Sequence, residues 1–168
     1  MKNQSVIILK KHIMMSVFVL FLNGCSSSDP LTMQIDPVNV KAQMYTYSDL
    51  NKNQNELWEI THQYLMNHYE QHQTEIRVMD RANASFIGKG IVKWKISPTT
   101  PLYCYSAYDF RFMARDNKAR LQLKLLPGVP SLSGCHDWEL PSEYGYKQIL
   151  DKFEAISTQL NHELIGED

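Results

Sequence analysis

From Ser85 to Leu125 the chain changes character at almost every residue. Between Ser85 and Ile96, the residues Phe86, Val92, Trp94 and Ile96 fall on one side with Gly88 and Gly90, while Lys89, Lys93 and Lys95 fall on the other. Leu102 to Ala114 sets Tyr108, Phe110 and Phe112 opposite Asp109 and Arg111, and Ala119 to Leu125 sets Leu121, Leu123 and Leu125 opposite Arg120, Gln122 and Lys124. A period of two belongs to β-strands, whose successive side chains point to opposite faces. One apolar and one polar face per strand specify an antiparallel sheet that is covered on one side only. Arg115-Asp116-Asn117-Lys118 reads as the tight turn of a hairpin. Glu75 to Met79 adds a shorter strand, closed by the turn-like Asp80-Arg81-Ala82-Asn83. Val38 to Tyr47, where Val38, Val40, Ala42 and Met44 alternate, adds a first strand.

Such a sheet needs a cover, and two segments at helical spacing supply it. In Gln54 to His72, the residues Leu57, Thr61, Tyr64, Leu65, His68 and Tyr69 recur every three or four positions, and Trp58 and Ile60 widen the stripe. Asn53 stands where an N-cap belongs, with Glu56 three residues on to close a capping box. In Tyr146 to Leu164 the stripe is Ile149, Phe153, Ile156, Leu160 and Leu164. Between sheet and last helix, Pro127 to Gly145 is a long loop holding three prolines, Cys135 and Trp138. The order β-α-β-β-β-β-α predicts an α+β two-layer sandwich, with an antiparallel sheet and both helices on one face.

That order, with Glu56-Leu57-Trp58 opening the first helix and Ile87-Gly88-Lys89-Gly90 in the second core strand, resembles a bacterial domain family of unknown function. Its members are described as having a TATA-binding-protein-like fold and are often lipoproteins or secreted proteins. The resemblance covers roughly Val40 to Leu164, and the loop around Cys135 looks like an insertion relative to a compact member. It implies a fold and an envelope address, and it brings no activity or cofactor with it.

The amino terminus also speaks of address. Lys2, Lys10 and Lys11 precede an apolar run, Ile13 to Leu22, with no acidic residue before Asp29. A helix needs roughly 20 apolar residues to span a bilayer, so this shorter run reads as a secretory signal peptide. Leu22-Asn23-Gly24-Cys25 resembles the lipobox of bacterial lipoproteins, in which the cysteine is acylated (palmitate included) and becomes the first residue of the mature chain. The expected organisation is a signal peptide over residues 1–24, a tether over 25–37 and a single domain over 38–168. Ser26, where inner-membrane lipoproteins carry Asp, resembles the outer-membrane sorting signal. The expected place is the bacterial cell envelope, held by lipid on Cys25 at the periplasmic face of the outer membrane.

Removing the signal leaves 144 residues and takes away three of the 17 lysines and arginines but none of the 18 acids. The mature chain is then mildly acidic, which argues against duplex nucleic acid as a partner, because phosphate binding needs a concentrated positive face. Two cysteines remain beside Cys25, and in an oxidising envelope Cys104 and Cys135 read as one disulfide.

No motif specifies a catalytic centre, a metal site or a cofactor. Gly88-Lys89-Gly90 lies inside a strand with no helix after it, so it is not a phosphate loop. Strand glycines mark close approach of a neighbour, such as a crossing helix. His68 and His72 are four apart, a spacing that can hold a metal from one helix face, but the HExxH pattern and a third ligand are absent, so with His62 they read as a solvated helix edge. Cys135-His136-Asp137 places a thiol beside a base, but neighbours in sequence rarely face each other. Asn83-Ala84-Ser85 matches a glycosylation acceptor, a chemistry not expected of a bacterial lipoprotein. Tyr103 and Tyr105 fall on the face expected to stay open, near Trp138, and aromatics on an open sheet can stack on bases or sugars. These three residues are the candidate ligand site. The expected function is a non-enzymatic binding or interaction domain for a protein or envelope component, acting through the open face or the long loop. The alternative is a hydrolase whose paired carboxylates converge only in three dimensions. Nucleic-acid binding by analogy with the fold is set aside on charge and compartment.

Overall fold

The computed structural model describes residues 30–72, 75–131 and 133–166. The expected signal peptide and Cys25, the expected acylation site, lie outside the described residues. Strand β1 (Gln43–Ser48) leads into helix α1 (Gln54–His72), followed by β2 (Glu75–Asp80), β3 (Ser85–Trp94), β4 (Cys104–Arg115), β5 (Lys118–Leu125) and helix α2 (Glu143–Ile165). The five strands form one antiparallel sheet in the order β1-β5-β4-β3-β2. Both helices pack on the same side of it, giving the α+β two-layer sandwich and the element order that the alternation and the helical stripes specify.

The strand alternation decides which side is covered. Phe86, Val92 and Trp94 of β3, Tyr108, Phe110 and Phe112 of β4, and Leu121, Leu123 and Leu125 of β5 are buried in one core with Leu57, Trp58 and Tyr64 of α1 and Ile149, Phe153, Ile156, Leu160 and Leu164 of α2. Gly88 pairs with Phe110 across the β3–β4 ladder, and Gly90 with Tyr108. A Cβ at either glycine would run into the facing ring. The glycines of Gly-Lys-Gly therefore make room for rings of the adjacent strand, not for a crossing helix. A helix approaches closely at Gly145 instead, where a Cβ would strike the indole of Trp94.

Caps and turns fix the ends. The side chain of Asn53 accepts from the Glu56 N–H at 3.1 Å while Glu56 accepts from the Asn53 N–H at 2.7 Å, the reciprocal box read from the sequence. In the hairpin, Asn117 takes the left-handed conformation at φ 66°, which asparagine tolerates well. Its side chain and that of Asp116 accept from the N–H groups of Asn51 and Gln54, at 2.7 and 2.8 Å, tying the β4–β5 turn to the start of α1. In the β2–β3 turn, hydrogen bonds from the side chain and backbone N–H of Asn83, at 2.7 and 3.0 Å, hold the Asp80 carboxyl below the usual carboxylate range. Inside the core the Tyr47 hydroxyl meets Ser157 Oγ at 2.9 Å. Burial pushes its pKa up to about 12, against the lowering effect of that hydrogen bond.

Three boundaries differ from the sequence reading. The expected strand from Val38 begins only at Gln43, because Pro37–Asn39 forms a 3₁₀ turn whose cap, Asp36, accepts from the Val38 N–H at 2.9 Å. Its inward residues are Tyr45 and Tyr47, not Val38 (73% exposed) and Met44 (50% exposed). Both parities of this stretch contain apolar residues, and pairing of Tyr45 with Leu121 and Tyr47 with Ala119 selects between them. Helix α2 starts at Glu143, three residues before the expected Tyr146. Ser142 caps it, accepting from the Gly145 N–H at 2.9 Å and donating to the Ile96 carbonyl at 2.7 Å. The domain also begins before residue 38. Ile35 is buried, its N–H reaches the Pro141 carbonyl at 2.9 Å, and the Glu143 N–H reaches the Met33 carbonyl at 3.0 Å, so the second half of the expected tether is docked.

The α2 stripe gives a test of the packing. Phe153 and Leu160 are 1% and 2% exposed, so truncating either to Ala is expected to cost about 2–5 kcal/mol in chemical denaturation. Lys152→Ala, on the solvent side of the same helix, is expected to be near neutral. Equal losses at all three would contradict the packing.

Candidate functional site

Among the described residues no helix covers the second face of the sheet, and charged side chains are spread across it. The outward positions of β3, β4 and β5 carry Lys89, Lys93, Arg111, Arg115, Lys118, Arg120 and Lys124, with Asp109 as the one acid. Ladder register places them in rows across the strands. Arg115 lies opposite Lys118, Met113 opposite Arg120, Arg111 opposite Gln122, and Asp109 between Lys89 and Lys124. Edge strand β2 adds Glu75 beside Lys89 and Asp80 beside Ser85. Among the described residues the ion pairs are Arg77–Glu75 and Arg81–Glu59, and neither involves a cation of β3, β4 or β5.

The opposite layer has the opposite sign. The helices carry Glu56, Glu59, Glu143, Asp151, Glu154 and Glu163 against Lys147 and Lys152. A whole-chain charge of −1 therefore conceals an acidic helix layer and a basic sheet face. The mildly acidic balance of the mature chain averages these two layers. A concentrated positive face exists. The signal was in the sequence, since every lysine and arginine of these three strands has outward parity.

The face carries two half-open depressions at one end. One, of about 430 Å³, is lined by Thr46, Met113, Arg115, Lys118, Ala119 and Arg120. Its neighbour of about 450 Å³, which shares Met113 and Arg115, is lined also by Gln54, Ala82, Asn83, Ser85 and Ala114. Three cations and no carboxylate line the first. Met44, Val78 and Met113 stand 46–54% exposed among the charges.

The aromatic trio is not one site. Tyr103 and Tyr105 do lie on the open side, where Lys93 Nζ sits 3.6 Å and Lys95 Nζ 4.9 Å from the centre of the Tyr103 ring. Ammonium groups over a tyrosine face make favourable cation–π contacts. Trp138 packs edge-on against Trp94 with ring centres 6.1 Å apart, on the helix-covered side. The loop wraps the end of the sheet and separates them. Ser133 Oγ accepts from the Tyr105 N–H at 3.1 Å, Cys135 follows, and the chain then turns under the sheet end to deliver Trp138 and α2.

Cys104 and Cys135 form a disulfide with Cα atoms 5.3 Å apart, across a separation of 31 residues. The sulfur of Cys135 is thus committed to a bond, and Cys135-His136-Asp137 holds no free thiol. His62 stacks on Trp58 with centres 5.0 Å apart, and His68 Nδ1 lies 2.9 Å from the Tyr64 carbonyl. The side chain of His72 is outside the described residues. Among the described residues no three His, Cys, Asp or Glu side chains gather as metal ligands.

Solved structures share this architecture. A DUF4468 family protein from Bacteroides ovatus superposes with a TM-score of 0.51 at 8% identity, over 80% of this chain and 91% of that one. A TBP-like protein from Parabacteroides distasonis superposes with a TM-score of 0.53 at 8% identity, over 78% of this chain and 97% of that one. The fold is TBP-like. At this identity the likeness is one of fold alone. No protein-family model and no curated protein sequence matches the chain.

The disulfide gives the second test. Closing a loop of this length stabilises by about 3–4 kcal/mol in the chain-entropy model. Non-reducing peptide mapping of periplasmically expressed protein is expected to recover Cys104 and Cys135 in one cross-linked peptide, and reductant is expected to lower the denaturation midpoint. Two alkylatable thiols without reductant would contradict the pairing.

Proposed function

We propose that this chain is a lipid-anchored domain of the bacterial cell envelope that binds a partner and catalyses no reaction. Lipid on Cys25 holds it to the membrane at the periplasmic face of the outer membrane, and the open face of the sheet is its working surface. The partner is a protein or another envelope component.

The observation that carries the reading is the open face itself, whose row of cations is interrupted on β3, β4 and β5 by Asp109 alone and, among the described residues, enters neither ion pair. A charged side chain on a solvated surface costs little to keep, so single cations need no explanation. Segregation of sign between two layers does more, because it creates a field that steers and orients a partner of opposite charge. The address rests on the signal-like run ending in Leu22-Asn23-Gly24-Cys25. The half-open depression lined by Arg115, Lys118 and Arg120 presents three cations and no carboxylate to a partner.

Cys25→Ser tests the address. In fractionated cells the wild-type chain is expected in the membrane fraction and in the detergent phase on phase partitioning, and the variant is expected to lose the lipid and to be processed abnormally. A variant that is processed and membrane-held like wild type would contradict the anchoring.

A further inference from the structure

The cationic face has a geometry that narrows its partner. Lys89, Arg111, Arg115, Lys118, Arg120 and Lys124 project from three adjacent strands of one sheet, so they are spread over a surface and do not converge on a point. Met44, Val78 and Met113 stand exposed between and beside them. Cations interleaved with exposed apolar side chains match the outer layer of an anionic bilayer. There phosphodiesters meet guanidinium groups, in bidentate fashion where geometry permits, and the apolar side chains enter the headgroup region.

The tether adds a spatial argument. Cys25 is ten residues before Ile35, the first buried residue of the domain. Ten residues reach at most about 35 Å when fully extended. A domain held by lipid on Cys25 therefore stays near the bilayer, and its two layers respond to the surface in opposite ways.

We infer that the cationic sheet face docks on anionic phospholipid headgroups, turning the acidic helix layer away from the membrane. This rests on the reading that the chain is an envelope protein anchored through Cys25. The lipid supplies the holding energy, and the face sets the orientation: sheet down, helices out, and the Cys104–Cys135 loop at the flank. A polybasic surface beside a lipid anchor is a physically sufficient second signal, since each lysine or arginine near an anionic leaflet strengthens binding about fivefold.

The test uses the mature chain, residues 25–168, carrying Cys25→Ser so that no acyl chain contributes. Binding is read by co-sedimentation with vesicles of phosphatidylcholine, alone and with a minority of phosphatidylglycerol. Arg111→Glu with Arg120→Glu is compared with Lys147→Glu with Lys152→Glu, which changes net charge equally on the helix layer. Denaturation midpoints verify that both variants fold. The expected result is binding that requires phosphatidylglycerol and weakens with salt. The sheet-face pair is expected to lose about 30-fold or more in affinity, and the helix pair severalfold at most. Absence of phosphatidylglycerol-dependent binding would overturn the assignment, and so would equal losses in the two variants. Displacement of the protein from vesicles by a single-stranded oligonucleotide that it binds more tightly would overturn it in favour of a polyanion partner. These results are separable from the anchoring. A chain found without lipid on Cys25 would leave the vesicle result standing, and a face that ignores vesicles would leave the Cys25 fractionation unchanged.

Discussion

The structure depends on one-sided burial of the rings of β3 and β4. Trp94, Phe86 and Phe112 are among the largest fully buried side chains, with Tyr108 and Phe110 beside them. Burying a side chain of this size contributes about 1.5–3 kcal/mol, so the set outweighs any polar interaction in the molecule. Each ring needs space, and the sequence provides it locally. Gly88 and Gly90 lie beneath the rings of Phe110 and Tyr108, and Gly145 lets α2 descend onto Trp94. The remaining architecture follows from keeping those rings dry. Two amphipathic helices form the lid, the hairpin turn at Asp116-Asn117 is tied to the start of α1, and the Cys104–Cys135 disulfide fastens the loop that leads into α2.

A sheet that commits its large rings and leucines to one face leaves the other with few packing constraints. That second face holds seven cations and one acid on β3, β4 and β5, while the helices that form the lid carry the balancing acids. Stability does not call for this separation, because exposed charges contribute little singly and like charges crowded on one surface repel. A surface that departs from the even mixing that favours solubility is where the proposed binding role places the partner.

The core and the layer order were legible because burial follows parity, and parity is written directly in β3, β4, β5 and the two helical stripes. Legibility failed where local pattern was ambiguous or where the deciding partner was distant. The stretch before β1 has apolar residues in both parities, and only pairing with β5 selects Tyr45 and Tyr47. The start of α2 was obscured by Gly145, whose presence answers to Trp94, some fifty residues earlier. Trp138 looked like a companion of Tyr103 and Tyr105 because the loop holding it is anchored near them. Its ring instead passes to the other side of the sheet to meet Trp94. The disulfide was readable from cysteine number and the compartment expected of the chain. The charged face was readable from outward parity and was concealed by summing charge over the chain.

The central claim is that the uncovered, cationic face of the sheet is the surface engaged in the cell. The most direct measurement is site-resolved acylation by an amine-reactive reagent, in intact envelopes and after detergent extraction. Lys89, Lys93, Lys118 and Lys124 report on the sheet face, and Lys147 and Lys152 on the helix layer. The account predicts that the sheet lysines are protected in envelopes and labelled after extraction, while the helix lysines label alike in both. Sheet lysines that react as fully in intact envelopes as in detergent would contradict it.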